Sequence, residues 1–420
     1  MTYKDAVTRG DYDRYTGNLG GKYDNVRIYW EDQLTRLALR PFLVKLMAAH
    51  RGNARLRILD LGAGSGQGYE AITKIDRRDL DLGLYHQRIV TAADIGLYLG
   101  LDLDSAMVAK GRELFASHPN VRFETHDLRE GLGRFAQTQP PFDLYLSCYG
   151  ALSHLNRDDL QRLLADICRH GRPGSIVVLD LLGRYSLEWP AYWQAGSEGE
   201  KWRNYSMSYL YAEAERRGER KAEIEWFPMR FWAGDEIDDL ARDVMAPNGL
   251  RLVVRKKMDR SLMVGRHIDT GEYNPNLKPM RRLVNRLHQD YMRTDLTQLR
   301  FDPQTLPRHP DPTVAAFFHE LIHSWNALID FCQLRLTQEA SLVDLEEWAT
   351  YPPSLQFALM TIDRVINSSG WMWYGDPRAN VIEPQLGYAL RSLESGLQRG
   401  LGCGHGLLVV LELVEQPETG

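Results

Sequence analysis

The run Arg57-Ile58-Leu59-Asp60-Leu61-Gly62-Ala63-Gly64-Ser65-Gly66-Gln67-Gly68 decides how the rest of the chain is read. Its apolar part, Ile58 to Leu61, reads as a buried strand. Glycines at alternate positions, Gly62, Gly64 and Gly66, then turn the chain sharply, and a helix pattern follows from about Tyr69. Glycine is needed where backbone must approach a ligand with no Cβ in the way. A strand, a glycine turn and a helix start in that order form a nucleotide-binding arrangement.

Outward from this run, residues 57–182 repeat a strand–helix alternation. Strands are expected over 57–61, 98–103, 121–125, 142–147 and 175–181, with helices over 104–117 and 157–170 between them. That rhythm predicts a mainly parallel, doubly wound sheet with helices on both faces. Ligands in such sheets bind beyond the carboxyl ends of the strands. Strand ends therefore carry the candidate site: Asp102 after the second strand, Asp127 after the third, and Cys148-Tyr149-Gly150 after the fourth. Asp102 is placed to accept hydrogen bonds from both hydroxyls of a ribose. Asp104 and Ser105 are placed to cap the next helix.

The glycine spacing differs from the dinucleotide fingerprint G-x-G-x-x-G. Asp60-x-Gly62-x-Gly64-x-Gly66 instead resembles the first motif of the class I S-adenosylmethionine-dependent methyltransferases. The run Gly100-Leu101-Asp102-Leu103-Asp104-Ser105-Ala106-Met107 looks like the second motif, and Phe142 to Leu155 is similar to the fourth. The gap from Gly66 to Asp102 exceeds the usual spacing of about 20 residues, and residues 86–97 read as an insertion. The resemblance covers about residues 55–270. It implies S-adenosylmethionine as cofactor, S-adenosylhomocysteine as product, and an α/β fold with a seven-stranded sheet. The cofactor residues it implies are Tyr23, Asp60, Gly62, Ala63, Gly64, Asp102, Leu103, Asp127, Leu128 and Cys148, with Asp127 on the adenine amine. Tyr149 and His154 are the nearest candidates for a base, histidine because it titrates in the useful range.

Three units are expected: an N-terminal helical cap over 1–54, a methyltransferase domain over 55–272, and a mostly helical accessory domain over 273–420. The cap carries Tyr12, Tyr15, Tyr23 and Tyr29 and a helical stripe from about Trp30 to His50. Residues 183–232 are rich in aromatics, which fits either a second apolar layer or a substrate-facing wall. Residues 249–257 and 260–267 read as an antiparallel closing pair. Beyond the turn-rich run Asp269 to Asn276, helices are expected near 279–292, 312–335, 337–349, 354–367 and 384–398, and a short strand over 407–413.

Three further motifs compete for a function. His319-Glu320-Leu321-Ile322-His323 matches the zinc-protease pattern H-E-x-x-H. The two histidines lie opposite the apolar face of Phe318, Leu321, Ile322 and Trp325, with no third ligand in sight, so no metal is expected. Gly400-Leu401-Gly402-Cys403-Gly404-His405-Gly406 is a second glycine run. It follows a helix and precedes a strand, the reverse of the nucleotide-binding order, and reads as a structural turn. Asp376-Pro377-Arg378 is superficially similar to an amino-methyltransferase signature but lacks the second proline and the aromatic.

The chain has 420 residues, 44% hydrophobic and 25% charged, with a formal net charge of −5. That balance argues against a broad nucleic-acid face. Four scattered cysteines without a C-x-x-C pair suit a reduced compartment. The polar N-terminus has no signal-peptide core, and no apolar run is long enough to span a membrane. A cytoplasmic enzyme acting on a small-molecule acceptor, without nucleic-acid or membrane partners and compatible with a homodimer, is the leading expectation. The alternatives are a protein methyltransferase that docks its substrate on 273–420, and a cofactor-binding scaffold without activity.

Overall fold

Strand β1, Leu56–Leu61, is buried at every position but Arg57. A strand buried on both faces belongs in a sheet covered by helices on each side. The structure, a computed structural model, describes residues 24–50, 55–76, 87–194, 196–244 and 249–416, apart from 212, 219, 220, 223, 290, 307, 339–341, 343–346, 373 and 374. In it β1 pairs in parallel with β2 (Ile95–Asp102) and β4 (Leu144–Leu146), β2 with β3 (Val121–Thr125), and β4 with β5 (Ile176–Gly183). Strand β9 (Gly406–Glu415) lies antiparallel between β5 and β8 (Leu250–Arg260). The main sheet thus runs β3-β2-β1-β4-β5-β9-β8, with β9 alone reversed. A hairpin of β6 (Trp202–Ser206) and β7 (Trp226–Trp232) joins it where Leu182 and Gly183 of β5 pair with Phe231 and Trp232.

Side chains alternate between the two faces, as the two-residue period of a strand requires. Leu59, Leu61, Val177, Leu179, Val409 and Leu411 enter one core with helices α4 (Arg157–His170) and α5 (Gly234–Asp243). Ile58, Leu146, Val178 and Val410 enter the other, with α1 (Asp32–Ala49), α2 (Gln67–Thr73) and α3 (Ser105–Leu114). Four long-range helices share that second core: α6 (Met280–Leu287), α7 (Pro312–Thr337), α8 (Pro353–Ser368) and α9 (Glu383–Leu397).

Two expectations are corrected here. The closing pair is β8 with β9, not 249–257 with 260–267. The run Leu407 to Leu413 is apolar at every position but Glu412 and gains burial on both faces only from a central place in the sheet. The run after Arg260 carries Arg266 and His267, which find partners off the sheet; it leaves β8 at Ser261, whose φ of 57° is left-handed. The segment 273–420 is consequently not a separate block. Helices α6–α9 are an insertion between β8 and β9, and their core is continuous with that of the sheet.

Candidate functional site

The carboxyl ends of β1, β2, β4, β5 and β8 and the start of β9 all meet at one edge of the sheet, because β9 alone runs backwards. The glycine loop between β1 and α2 lies there. Gly62 and Ala63 donate their N–H groups to the Leu101 carbonyl at 2.8 and 2.9 Å, which ties the loop to β2. Gly64 donates to Asp102 Oδ2 at 2.8 Å, and Asp104 donates to Asp102 Oδ1 at 2.9 Å. Burial of the Asp102 carboxyl raises its pKa above the usual range. Asp104 in turn caps α3, accepting from Ala106 at 2.7 Å. Gly64, at φ 53°, is the open point of the loop: a Cβ built there would meet none of the described residues within 4 Å, whereas one on Gly66 would press on Phe115 and Phe123.

Asp60 sits behind the loop with about 1% of its surface exposed. Its Oδ2 accepts from the Tyr98 hydroxyl, and among the described residues its Oδ1 has no partner. Burial pushes the carboxyl up to about 7, against the pull of the Tyr98 hydrogen bond. Leu103, beside Asp102, is exposed, an uncovered apolar side chain at the rim. These features fit the adenosyl and methionyl parts of S-adenosylmethionine: an open glycine face, an acid at the end of β2, an apolar rim, and a buried acid with a free oxygen.

The remaining predicted residues are less uniform. Asp127 caps the turn after β3 and is clasped by Arg129, at 2.6 Å from Nη2 to Oδ2. That pair, foremost its hydrogen bond, lowers the Asp127 pKa. Leu128 packs on the core beside it. Cys148 is buried, and burial drives its thiol well up. Tyr23 lies outside the described residues.

Tyr149 adopts φ 63°, left-handed backbone that costs a side-chain-bearing residue about 1–3 kcal/mol. Its N–H donates to Asp180 Oδ2 at 2.5 Å, and Asp180 pairs with Arg260. The Arg27 guanidinium lies 3.8 Å over its ring. Burial, with Asp32 nearby, pushes its phenol far up, so Tyr149 keeps its proton. His154 is exposed, its ring centroid 5.3 Å from that of Phe227. The crowded surroundings lower its pKa against a hydrogen bond to the Pro228 carbonyl, so the imidazole is neutral near pH 7.

A buried ionic cluster beside Tyr149 has no counterpart in the sequence reading. Arg281 binds Asp24 through Nε at 2.6 Å and Glu31 through Nη1 at 2.7 Å, and Arg266 binds Glu31 at 3.0 Å. The cluster holds the start of the N-terminal helical segment over the ends of β4 and β8. Despite the cost of burial, Arg266, Arg281 and Arg27 hold the Glu31 carboxyl well below its usual range.

The second glycine run wraps the carboxylate of Asp259, which accepts from Leu401, Gly402 and Cys403 at 2.8–2.9 Å. His405, next in the chain, pairs with buried Glu188 at 2.6 Å. On α7, His319 and His323 are exposed. Glu320 pairs with Arg399, and His323 lies 3.9 Å from Glu347. Asn326, on the same helix, is buried and bonds both polar backbone groups of Phe301. Among the described residues no group of three metal-ligating side chains comes together, and no helix is long and apolar enough to cross a membrane.

The aromatics of 183–232 divide. Trp189, Tyr205, Phe231 and Trp232 are core. Tyr192, Trp202 and Trp226 instead line a hollow of about 510 Å³ on the β6–β7 hairpin, closed by Tyr273. Neither the glycine loop nor Asp102 lines it.

Residues 83–174 match the family model described as a methyltransferase domain. The match begins after the glycine loop and runs through β2, β3 and β4 to the turn before β5. No curated protein matches the chain. Among solved structures it is similar to the CcbJ methyltransferase from Streptomyces caelestis, with 19% identity over 61% of this chain and 90% of that one and a TM-score of 0.37. It is also similar to an S-adenosylmethionine-dependent methyltransferase from Clostridium acetobutylicum, with 16% identity over 56% of this chain and 89% of that one and a TM-score of 0.32. It spans about half the length of the CurJ carbon methyltransferase, with 13% identity over 53% of this chain and 48% of that one and a TM-score of 0.33. Over residues 83–174 the chain is thus similar to a methyltransferase domain.

Proposed function

We propose that the protein is a methyltransferase that methylates an O, N or C atom of a small organic acceptor in the cytoplasm. The observation that carries this reading is the clasp of Gly64 by Asp102 beside an open glycine face, at the edge where the strands end. The cofactor, when bound, supplies an electrophilic methyl group on a sulfonium. Gly64 and Asp102 would hold its ribose side, Leu103 its base, and Asp60 its amino-acid side.

The chain's own residues have two further tasks: to align the acceptor and to take a proton where the acceptor needs it. Tyr149 suits only the first, since burial keeps its phenol protonated. His154 suits the second, because its lowered pKa leaves it free to accept a proton near neutrality. The β6–β7 insertion, rooted at the end of β5, supports a small-molecule acceptor, because aromatic walls suit flat organic ligands.

The test is methyl transfer from methyl-labelled S-adenosylmethionine to a panel of amines, phenols and carbon acids, and in parallel to a protein extract. Label in the low-molecular-mass fraction is expected. Label confined to protein would favour the protein-methyltransferase reading. Bound cofactor without label in either fraction would point to a scaffold.

A further inference from the structure

The hollow on the β6–β7 hairpin has the size of a small-molecule site, about 300–1,000 Å³, and the cofactor-binding residues take no part in it. Four of its lining side chains are aromatic: Trp202, Trp226, Tyr273 and Tyr192, the last with the Arg203 guanidinium 3.8 Å over its ring. Trp226 keeps 46% of its surface exposed, at the open end of a strand whose last four residues are buried. Tyr273 is held in place by its hydroxyl, which accepts from Ser206 N–H at 2.9 Å and donates to the Asn204 carbonyl at 2.8 Å. These walls are therefore preset rather than loose.

Two opposite charges line the same hollow without pairing to each other. Arg203 is steadied by Tyr192, by its Nη1 bond to the Trp202 carbonyl at 2.8 Å and by the charge of exposed Glu200, but among the described residues its buried Nε–H has no acceptor. A buried donor left unmade costs about 1–3 kcal/mol, a cost that an anionic group brought by a ligand would relieve. Glu272 is exposed, and among the described residues its carboxylate is in no ion pair. Aromatic faces attract cations as well as flat rings. An aromatic box with one cation and one anion not paired to each other is complementary to a ligand that carries both signs and an apolar body.

We propose that this hollow binds a small zwitterion of the amino-acid class, with its carboxylate toward Arg203, its ammonium toward Glu272, and its side chain among Trp202, Trp226 and Tyr273. As an acceptor site the proposal rests on the small-molecule reading above; as a binding site it stands alone.

Three probes separate the charges: L-phenylalanine, phenethylamine without the carboxylate, and 3-phenylpropionate without the ammonium. Binding is read by tryptophan fluorescence without cofactor. L-Phenylalanine should bind about tenfold tighter than either half, since a charge-assisted hydrogen bond is worth about 1.5–3 kcal/mol. Glu272→Gln should weaken L-phenylalanine and phenethylamine but not 3-phenylpropionate. Arg203→Met should weaken L-phenylalanine and 3-phenylpropionate but not phenethylamine. Trp226→Ala, on an exposed side chain, should weaken all three and leave the melting temperature unchanged. No saturable quenching in the millimolar range, or equal affinity for the three probes, would overturn the proposal. If binding follows this pattern but no amino-acid-class compound is methylated, the site stands and its role as acceptor site falls. If a small acceptor is methylated with a KM indifferent to both charge variants, the hollow is not the acceptor site and methyl transfer stands.

Discussion

The chain has two runs with glycine at every second position, and both lie at the same edge of the sheet. In each, an aspartate at the end of a neighbouring strand holds the loop by backbone N–H groups: Asp102 for residues 62–66, Asp259 for residues 400–406. The difference is in what space is left. Asp102 takes one N–H from its glycine loop, and the face of Gly64 is open. Asp259 takes at least three from its loop, and every glycine there is pressed against protein. A Cβ on Gly402 would lie 2.6 Å from the Trp232 carbonyl oxygen, and one on Gly406 would lie 2.8 Å from Arg260. The same spacing thus leaves an open face at Gly64 in one place and wraps the protein's own carboxylate in the other. Glycine is used for close approach in both; only the identity of what approaches differs.

The largest effect that would sharpen this contrast is on stability at the second loop. Asp259→Ala leaves several buried N–H groups without an acceptor, each worth about 1–3 kcal/mol. A loss of about 3–5 kcal/mol is expected in urea denaturation, with cofactor affinity of the folded fraction retained. If Asp259→Ala were as stable as the wild type, the packed nest would not be what holds this loop.

Next in size is a pH effect at Asp60. Its carboxyl titrates at about 7 in the fold against 3.8 when unperturbed. Between those values the folded state keeps a proton that the unfolded state has released. Stability therefore falls as pH rises through that window and stays lower above 7. Asp60→Asn carries no such charge. It should be more stable than the wild type by about 4 kcal/mol at pH 8 and no more stable at pH 4, while binding cofactor more weakly. Denaturation curves at the two pH values check the sign. A stability gain that did not depend on pH would point to better packing instead.

The smallest effect is at the open glycine. Gly64→Ala meets none of the described residues, so its stability cost is only that of left-handed backbone, about 1 kcal/mol. Cofactor binding should suffer more than stability. The reverse order would break the comparison, because it would make Gly64 a packing residue like Gly402.

How much of this could be read in advance depended on distance along the chain. The strand–helix rhythm from Arg57 to Leu181 is local and periodic, and the strands lie within a few residues of their expected limits. The site's glycines and strand-end aspartates were legible for the same reason: topology puts strand ends together wherever the rhythm holds. The partner of β8 was not legible, because antiparallel pairing with a strand about 150 residues later leaves no local mark, and the buried run Leu262-Met263-Val264 offered a nearer false partner. The ionic cluster was hidden likewise: Asp24 and Arg281 stand 257 positions apart. Asp259 was overlooked because a carboxylate inside a strand signals nothing about the loop it will hold.

The central claim is that the loop of Gly62, Gly64 and Gly66, clasped by Asp102, is the cofactor cradle. Titration calorimetry of S-adenosylhomocysteine into the wild type and Asp102→Ala tests it most directly. Saturable binding at one site is expected in the wild type, weakened about ten- to a hundredfold in the variant, with the melting temperature little changed. Wild-type protein that does not bind, or a variant that binds as tightly as the wild type, would contradict it.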